Sequence, residues 1–203
     1  MPILESITPT ITSSILSSIL SSGALEGFIT SWKTNNTGTS TDQQITIPTD
    51  STGTYNCTID WGDGVIETGF TTYNDARLTH TYATAGTYTV TITGQFEGIK
   101  FNNSGDKDKI LNISNYGTDF RLGNTGSYFD GCSNLTITAT DTLNTAGITQ
   151  MRRAFHTCSS LTTIPNINLW TMGSVTNTTD MFFDTPFNSD IGLWDVSSLV
   201  NMG

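Results

Sequence analysis

Hydrophobic and polar positions keep three different rhythms along the chain. Over residues 1–26, Ser and Thr interrupt every apolar run, while Ile11, Ile15, Leu16, Ile19 and Leu20 fall at i, i+4, i+5, i+8 and i+9. That spacing lays one apolar stripe along a helix. The intervening Ser pairs are poor helix formers, so the stripe requires a partner surface. Residues 1–26 therefore read as an anchoring or oligomerising segment, with a floppy terminus as the rival reading.

Residues 27–95 change to a period of two. Candidate strands are FITSWKT (28–34), QQITIPT (43–49), YNCTIDW (55–61), VIETG (65–69), LTHTY (78–82) and TYTVTITG (87–94). In the last of these Tyr88, Val90 and Ile92 alternate with Thr, which predicts one buried and one wet face. Turn-forming residues separate the strands: Asn35-Asn36 with Gly38, Asp50 to Gly53, Gly62-Asp63-Gly64 and Ala85-Gly86. Short strands at close, regular spacing predict a β-sandwich.

Residues 96–203 repeat. Phe129, Phe155 and Phe182 are 26 and 27 apart, Cys132 and Cys158 are 26 apart, and Leu135, Leu161 and Phe187 are 26 and 26 apart. CSNLTIT (132–138) and CSSLTTI (158–164) are near copies, as are INLWTMGSVTN (167–177) and IGLWDVSSLVN (191–201). Leu111 stands 24 before Leu135 and opens the series. A period of this size predicts a solenoid with one supersecondary unit per repeat. The last repeat is incomplete and lacks a polar cap, so its outer face is expected to be apolar, and covered by further chain or by a partner.

Charge narrows the function. Lys and Arg total 8 against 18 Asp and Glu in 203 residues, a net charge of -10. An acidic, Lys-poor chain argues against nucleic acid and against an electrostatic membrane anchor. No run approaches the roughly 20 apolar residues of a membrane helix, so no membrane insertion is expected. The first charge is Glu5, and a secretory signal needs a basic n-region and an unbroken apolar run. No such signal is read here.

The run YNCTIDWGDG, followed by HTYATAGTYTVTITG, resembles the PKD (polycystic kidney disease) domain family. The matching residues are Trp61, Gly62, Asp63, Gly64, His80, Thr81, Tyr82, Gly86, Tyr88, Val90 and Ile92. The resemblance implies an Ig-like β-sandwich over about 28–95. The residues agree with it: Gly62 and Gly64 permit a tight turn, Asp63 can accept from turn amides, and Trp61 supplies a large core side chain. A second reading of the same run makes Asp60, Asp63 and Glu67 hard oxygen ligands for Ca²⁺.

MFFDTPFNSDIGLWDVSSLVNM (181–202) resembles the BspA-type leucine-rich repeats of bacterial surface proteins. Met181, Phe182, Phe187, Asn188, Asp190, Ile191, Trp194, Asp195, Val196, Ser197 and Met202 carry the match; Thr178 and the Cys158-Ser159-Ser160-Leu161 stretch of earlier copies depart from it. The resemblance implies a right-handed solenoid used on cell surfaces and in virus particles for attachment. The fold expected is thus mainly β: an N-terminal anchoring segment, an Ig-like (PKD-type) sandwich, then a leucine-rich-repeat solenoid.

Reactive chemistry is sparse. There is no GxSxG, P-loop or GxGxxG, and the two histidines, His80 and His156, read as structural hydrogen-bonders. NNSGDKDK (102–109) sets Asp106 and Asp108 near Asn103, readable either as a polar loop or as a cation site. Cys132 and Cys158 read as small buried residues on neighbouring coils, or as a disulfide if close enough. Arg152-Arg153 reads as a solvated corner. Six Asn-x-Ser/Thr sequons, at Asn35, Asn56, Asn102, Asn112, Asn134 and Asn177, follow from an Asn- and Thr-rich composition.

These readings predict a non-enzymatic protein with no resident cofactor. It would be a phage capsid decoration or fibre protein on the virion surface, tied by its N-terminus to a capsid or other virion protein. It would form homo-oligomers and present its solenoid to a host glycan or protein. The first alternative is a bacterial cell-surface adhesin of BspA type. The second is an accessory module of a secreted carbohydrate-active enzyme.

Overall fold

The computed structural model describes residues 27–203, and the apolar stripe of 1–26 lies outside them. The described chain is mainly β, without an α-helix among the described residues. Its strands are β1 (Phe28–Lys33), β2 (Gln44–Thr46), β3 (Thr49–Asp60), β4 (Ile66–Phe70), β5 (Thr79–Thr81), β6 (Thr87–Ile99), β7 (Ile110–Asn115), β8 (Phe120–Arg121) and β9 (Thr136–Ile137). An open seven-stranded sheet runs in the order β4-β3-β6-β1-β7-β9, with β8 beside β6, and β2 and β5 form a second, two-stranded ribbon.

The alternation predicted for β6 is what the sheet uses. Val90 and Ile92 are buried and the intervening Thr residues are not. The strand, however, runs on through residues 95 and 96 to Ile99. Gly94 had looked like its end. It takes a positive φ of 84° where the Asn56 carbonyl approaches too closely for a Cβ, so the ladder continues past it and buries Phe96 and Ile99. The sheet also recruits β7, antiparallel to β1, from beyond residue 96. β7 then pairs in parallel with β9 in the register Asn112↔Thr136. That register reproduces the 24-residue spacing of Leu111 and Leu135.

Beyond β7 the chain winds in stacked layers. Ser127, Phe129 and Gly131 donate backbone N–H bonds to Arg152, Ala154 and His156 at 2.8–2.9 Å. One layer on, Met151, Arg153, Phe155 and Thr157 donate to Asn177, Thr179, Met181 and Phe183 at 2.8–3.0 Å. Ser127, Arg153 and Asp180, at the same place in successive layers, all have left-handed backbone with φ of 56°, 52° and 55°. That conformation costs a non-glycine residue about 1–2 kcal/mol, a cost offset by the ladder and the burial that each corner permits.

Side chains stack as the backbone does. Ring centroids are 6.0 Å apart for Trp32–Phe101, 6.0 Å for Phe101–Phe129, 5.5 Å for Phe129–Phe155 and 5.6 Å for Phe155–Phe182. The column crosses from the sheet into the last layer, and one buried apolar cluster, from Phe28 to Met181, spans both.

Candidate functional site

All eight residues of the Trp61–Tyr88 motif meet in one place. Trp61 is fully buried at the end of β3, and its backbone N–H closes the turn on Val65 O at 3.0 Å. The indole ring stacks on His80 with centroids 4.6 Å apart and planes 7° off parallel. His80 meets Tyr82 edge-on at 4.6 Å, and Tyr82 stacks on Tyr88 at 3.8 Å. Tyr82 Oη donates back to Trp61 O at 3.0 Å, and Gly86 exchanges two bonds with Thr34: Gly86 N–H to Thr34 Oγ1 at 3.0 Å and Thr34 N–H to Gly86 O at 2.9 Å. Gly62 and Gly64 supply the positive φ values of the turn, 79° and 92°.

The carboxylates considered as Ca²⁺ ligands serve protein donors instead. Asp60 Oδ1 accepts from Gly62 N–H at 2.9 Å, and Asp63 Oδ1 accepts from Val65 N–H at 3.1 Å. Asp63 Oδ2 pairs with His80 Nε2 at 2.9 Å, and Glu67 Oε2 accepts from Trp61 Nε1 at 2.9 Å. Burial pushes the Asp63 pKa up, but the His80 and Val65 hydrogen bonds outweigh it and hold the carboxyl below its ordinary value. Among the described residues, no three or more His, Cys, Asp or Glu side chains are grouped to hold a metal ion. The arrangement fastens a turn to the core.

The 102–109 segment was read as a surface loop or cation site, and it holds an internal cation of its own. Lys109 and Asp106 are both buried, with Nζ 3.9 Å from Oδ1. Lys109 Nζ donates to the carbonyls of Ser40, Thr41 and Gln44 at 3.1, 2.8 and 2.9 Å, and to Ser40 Oγ at 2.7 Å. Asp106 accepts from the N–H groups of Thr39, Ser40 and Thr46 and from Ser40 Oγ at 2.6–3.0 Å. Burial lowers the Lys109 pKa, and Asp106 opposes the shift. The pair clamps the loop after β1 to the segment before β7. Asp108 turns elsewhere, to Ser133 Oγ at 2.6 Å and Lys107 Nζ.

In the layers, His156 Nδ1 pairs with buried Asp130 at 2.9 Å and stacks under Phe183 at 5.4 Å. Cys57, Cys132 and Cys158 are free and buried. Burial raises all three thiol pKa values, to about 11 for Cys57 and about 12 for Cys158, which removes thiolate reactivity near neutral pH. Arg153, read as a solvated corner, pairs with Asp180 at 3.4 Å. The stripe residues Ile11, Ile15, Leu16, Ile19 and Leu20 lie outside the described residues.

The feature that most invites a ligand is the outer face of the last layer. A groove of about 380 Å³ opens there, lined by Met181, Phe182, Trp194, Val196, Leu199 and Met202 among others. The uncapped repeat had predicted an apolar face here, and Phe183, Leu193, Val200 and Met202 are 61%, 70%, 78% and 80% exposed.

Residues 99–203 match the family described as "Mycoplasma protein of unknown function, DUF285", just over half of the 203-residue chain. No curated protein and no solved structure matches it significantly.

Proposed function

The chain belongs to the DUF285 family, and we propose that it is a non-enzymatic structural protein of the virion surface, a capsid decoration or fibre protein. On this reading β1–β6 form a PKD-type sandwich that acts as a spacer. The stacked layers form a BspA-type leucine-rich-repeat solenoid that presents an extended face to a host glycan or protein. The segment 1–26 ties the chain to a capsid protein and to further copies of itself.

The observation that carries the reading is the ring column from Trp32 through Phe101, Phe129 and Phe155 to Phe182. It packs the sheet and the layers into one apolar core, so that a surface at the far end is held at a fixed place relative to the N-terminal strand. A spacer and a display surface need that property. The histidines, most of the carboxylates and the thiols described above support it too, because they are engaged in turns, clamps and core packing.

The rival is a bacterial surface adhesin with the same layout, favoured by the repeat pattern of residues 181–202. Peptide mass spectrometry on density-purified virus particles and on cell envelopes from the source culture separates the two. Recovery in particles, lost when residues 1–26 are deleted, supports the virion reading. Recovery in envelopes alone sinks it in favour of the adhesin.

A further inference from the structure

The last layer is unfinished in its backbone as well as in its side chains. In the layer beneath, Met151, Arg153, Phe155 and Thr157 each donate an N–H bond outward. In the last layer Thr178 and Asp180 do the same, to Asn201 O at 2.9 Å and Gly203 O at 3.2 Å. Phe182 and Asp184 stand 27 residues after Phe155 and Thr157. Their backbone N–H groups find no acceptor among the described residues. Beside these two donors lies the apolar groove, where Val196 is 53% exposed.

Charge gives the face a second character. From Ala154 to Gly203 the chain has no Lys or Arg. Asp184, Asp190 and Asp195 of the last layer are all exposed. Asp190 and Asp195 spend one oxygen each on the nearby N–H groups of Gly192 and Ser197 and present the rest to solvent.

We propose that this end layer is a docking surface for an extended segment of a partner polypeptide, with apolar residues at alternate positions and Lys or Arg flanking them. An extended strand repeats its backbone acceptors every second residue, which matches the spacing of the Phe182 and Asp184 donors. Its alternate side chains enter the groove, the mode of strand addition at an open edge. Lys or Arg beside them meets the three exposed Asp side chains. A second copy of this chain is a poorer occupant. It would bring Asp184, Asp190 and Asp195 against their own kind in a protein already carrying a net charge of -10. The inference stands on the geometry of the layer, whether the protein sits on a virion or on a cell.

The test uses the full chain and two synthetic peptides. Each alternates Val or Ile with Thr; one is flanked by Lys, its twin by Glu. Binding is read by fluorescence anisotropy at low and high salt. The Lys peptide should bind about tenfold more tightly than the Glu peptide, the sum of three weak exposed ion pairs, and the gap should shrink in high salt. The double variant V196S/M202S alters only exposed side chains, so it should fold normally by circular dichroism yet bind both peptides more weakly. The triple variant D184N/D190N/D195N should lose the preference and keep the remainder. Equal affinity for the two peptides, or no binding of either, overturns the proposal. So does concentration-dependent dimerisation of the unliganded chain that V196S/M202S abolishes, because a second copy would then be the occupant.

Discussion

Phe129 and Phe155 lie almost parallel in the core, with ring centroids 5.5 Å apart and planes 11° off, although 26 residues separate them along the chain. Their backbones carry the same relationship, since Phe129 donates to the carbonyl of Ala154, the residue before Phe155, at 2.9 Å. One layer is therefore the length of chain needed to leave a ring, go round and return directly above it. The repeat spacing in the sequence measures that circuit.

Phe155 is the ring with a neighbour on both sides, Phe129 below and Phe182 above. It is fully buried. Phe155→Ala leaves a cavity in the middle of the column and should cost about 3–5 kcal/mol. Phe155→Leu keeps most of the volume and should cost clearly less. Urea unfolding of the two variants checks both the size and the order. Equal, small losses would mean that the layers are held by their ladders and not by the column.

The turn after β3 separates two effects of a side chain on glycine. Gly62 and Gly64 both have positive φ, 79° and 92°. A Cβ on Gly62 would collide with the Thr89 carbonyl of the neighbouring strand, whereas one on Gly64 meets nothing within 4 Å. Gly64→Ala should cost only the conformational strain, about 1 kcal/mol. Gly62→Ala must also move β6 away, and should cost at least twice as much. Thermal melts of the two single variants test the ordering.

The extent to which these features were legible follows from where their partners lie. Phe129, Phe155 and Phe182 were legible because each partner is another Phe at a fixed interval. The Trp61, His80, Tyr82 and Tyr88 cluster was legible because its members are large or polar and flank turn glycines. Lys109 and Asp106 were not. In sequence they sit within NNSGDKDK, a polar stretch that looks solvated. What buries them is a set of backbone carbonyls and N–H groups from residues 39–46, and backbone atoms leave no mark in a sequence. The continuation of β6 past Gly94 was hidden for a related reason: a glycine that ends a strand and one that admits a neighbouring carbonyl are the same letter.

The Lys109 clamp should behave as a buried pair whose partners cannot be removed singly. Lys109→Met leaves Asp106 buried without its cation, and strands the carbonyls of Ser40, Thr41 and Gln44. The expected loss is about 3–5 kcal/mol. Asp106→Asn keeps an acceptor but deprives Lys109 of its counter-charge and should cost less. In the double variant K109M/D106N the loss should be smaller than the sum of the two single losses, because the residues share one network. A double-mutant cycle by chemical denaturation measures the coupling. Strict additivity would show that the clamp is two separate loop contacts.

Asp50 ties the start of β3 to the layers, and its titration should appear in the acid stability of the protein. Its carboxylate accepts from Thr52 N–H and Thr52 Oγ1 at 2.8 Å, from Thr125 Oγ1, and pairs with Lys100 Nζ at 3.1 Å. Burial acts to raise its pKa, but the bonds from Thr125, Thr52 and Lys100 outweigh it and hold the carboxyl well below the ordinary value. An unfolded Asp titrates near 3.9. Above that pH both states are ionised, and the whole advantage of the folded carboxylate is present. As pH falls from about 5 through 3.9, the unfolded state takes up a proton that the folded state refuses, and stability declines until the folded carboxyl is protonated too. Asp50→Asn should therefore lower stability at neutral pH by about 2 kcal/mol, the scale of hydrogen bonds to a charged group. It should also make the loss between pH 5 and pH 3 shallower. Melting temperatures of both proteins across that range provide the comparison. Parallel curves would show that Asp50 contributes its contacts without contributing to the acid limb.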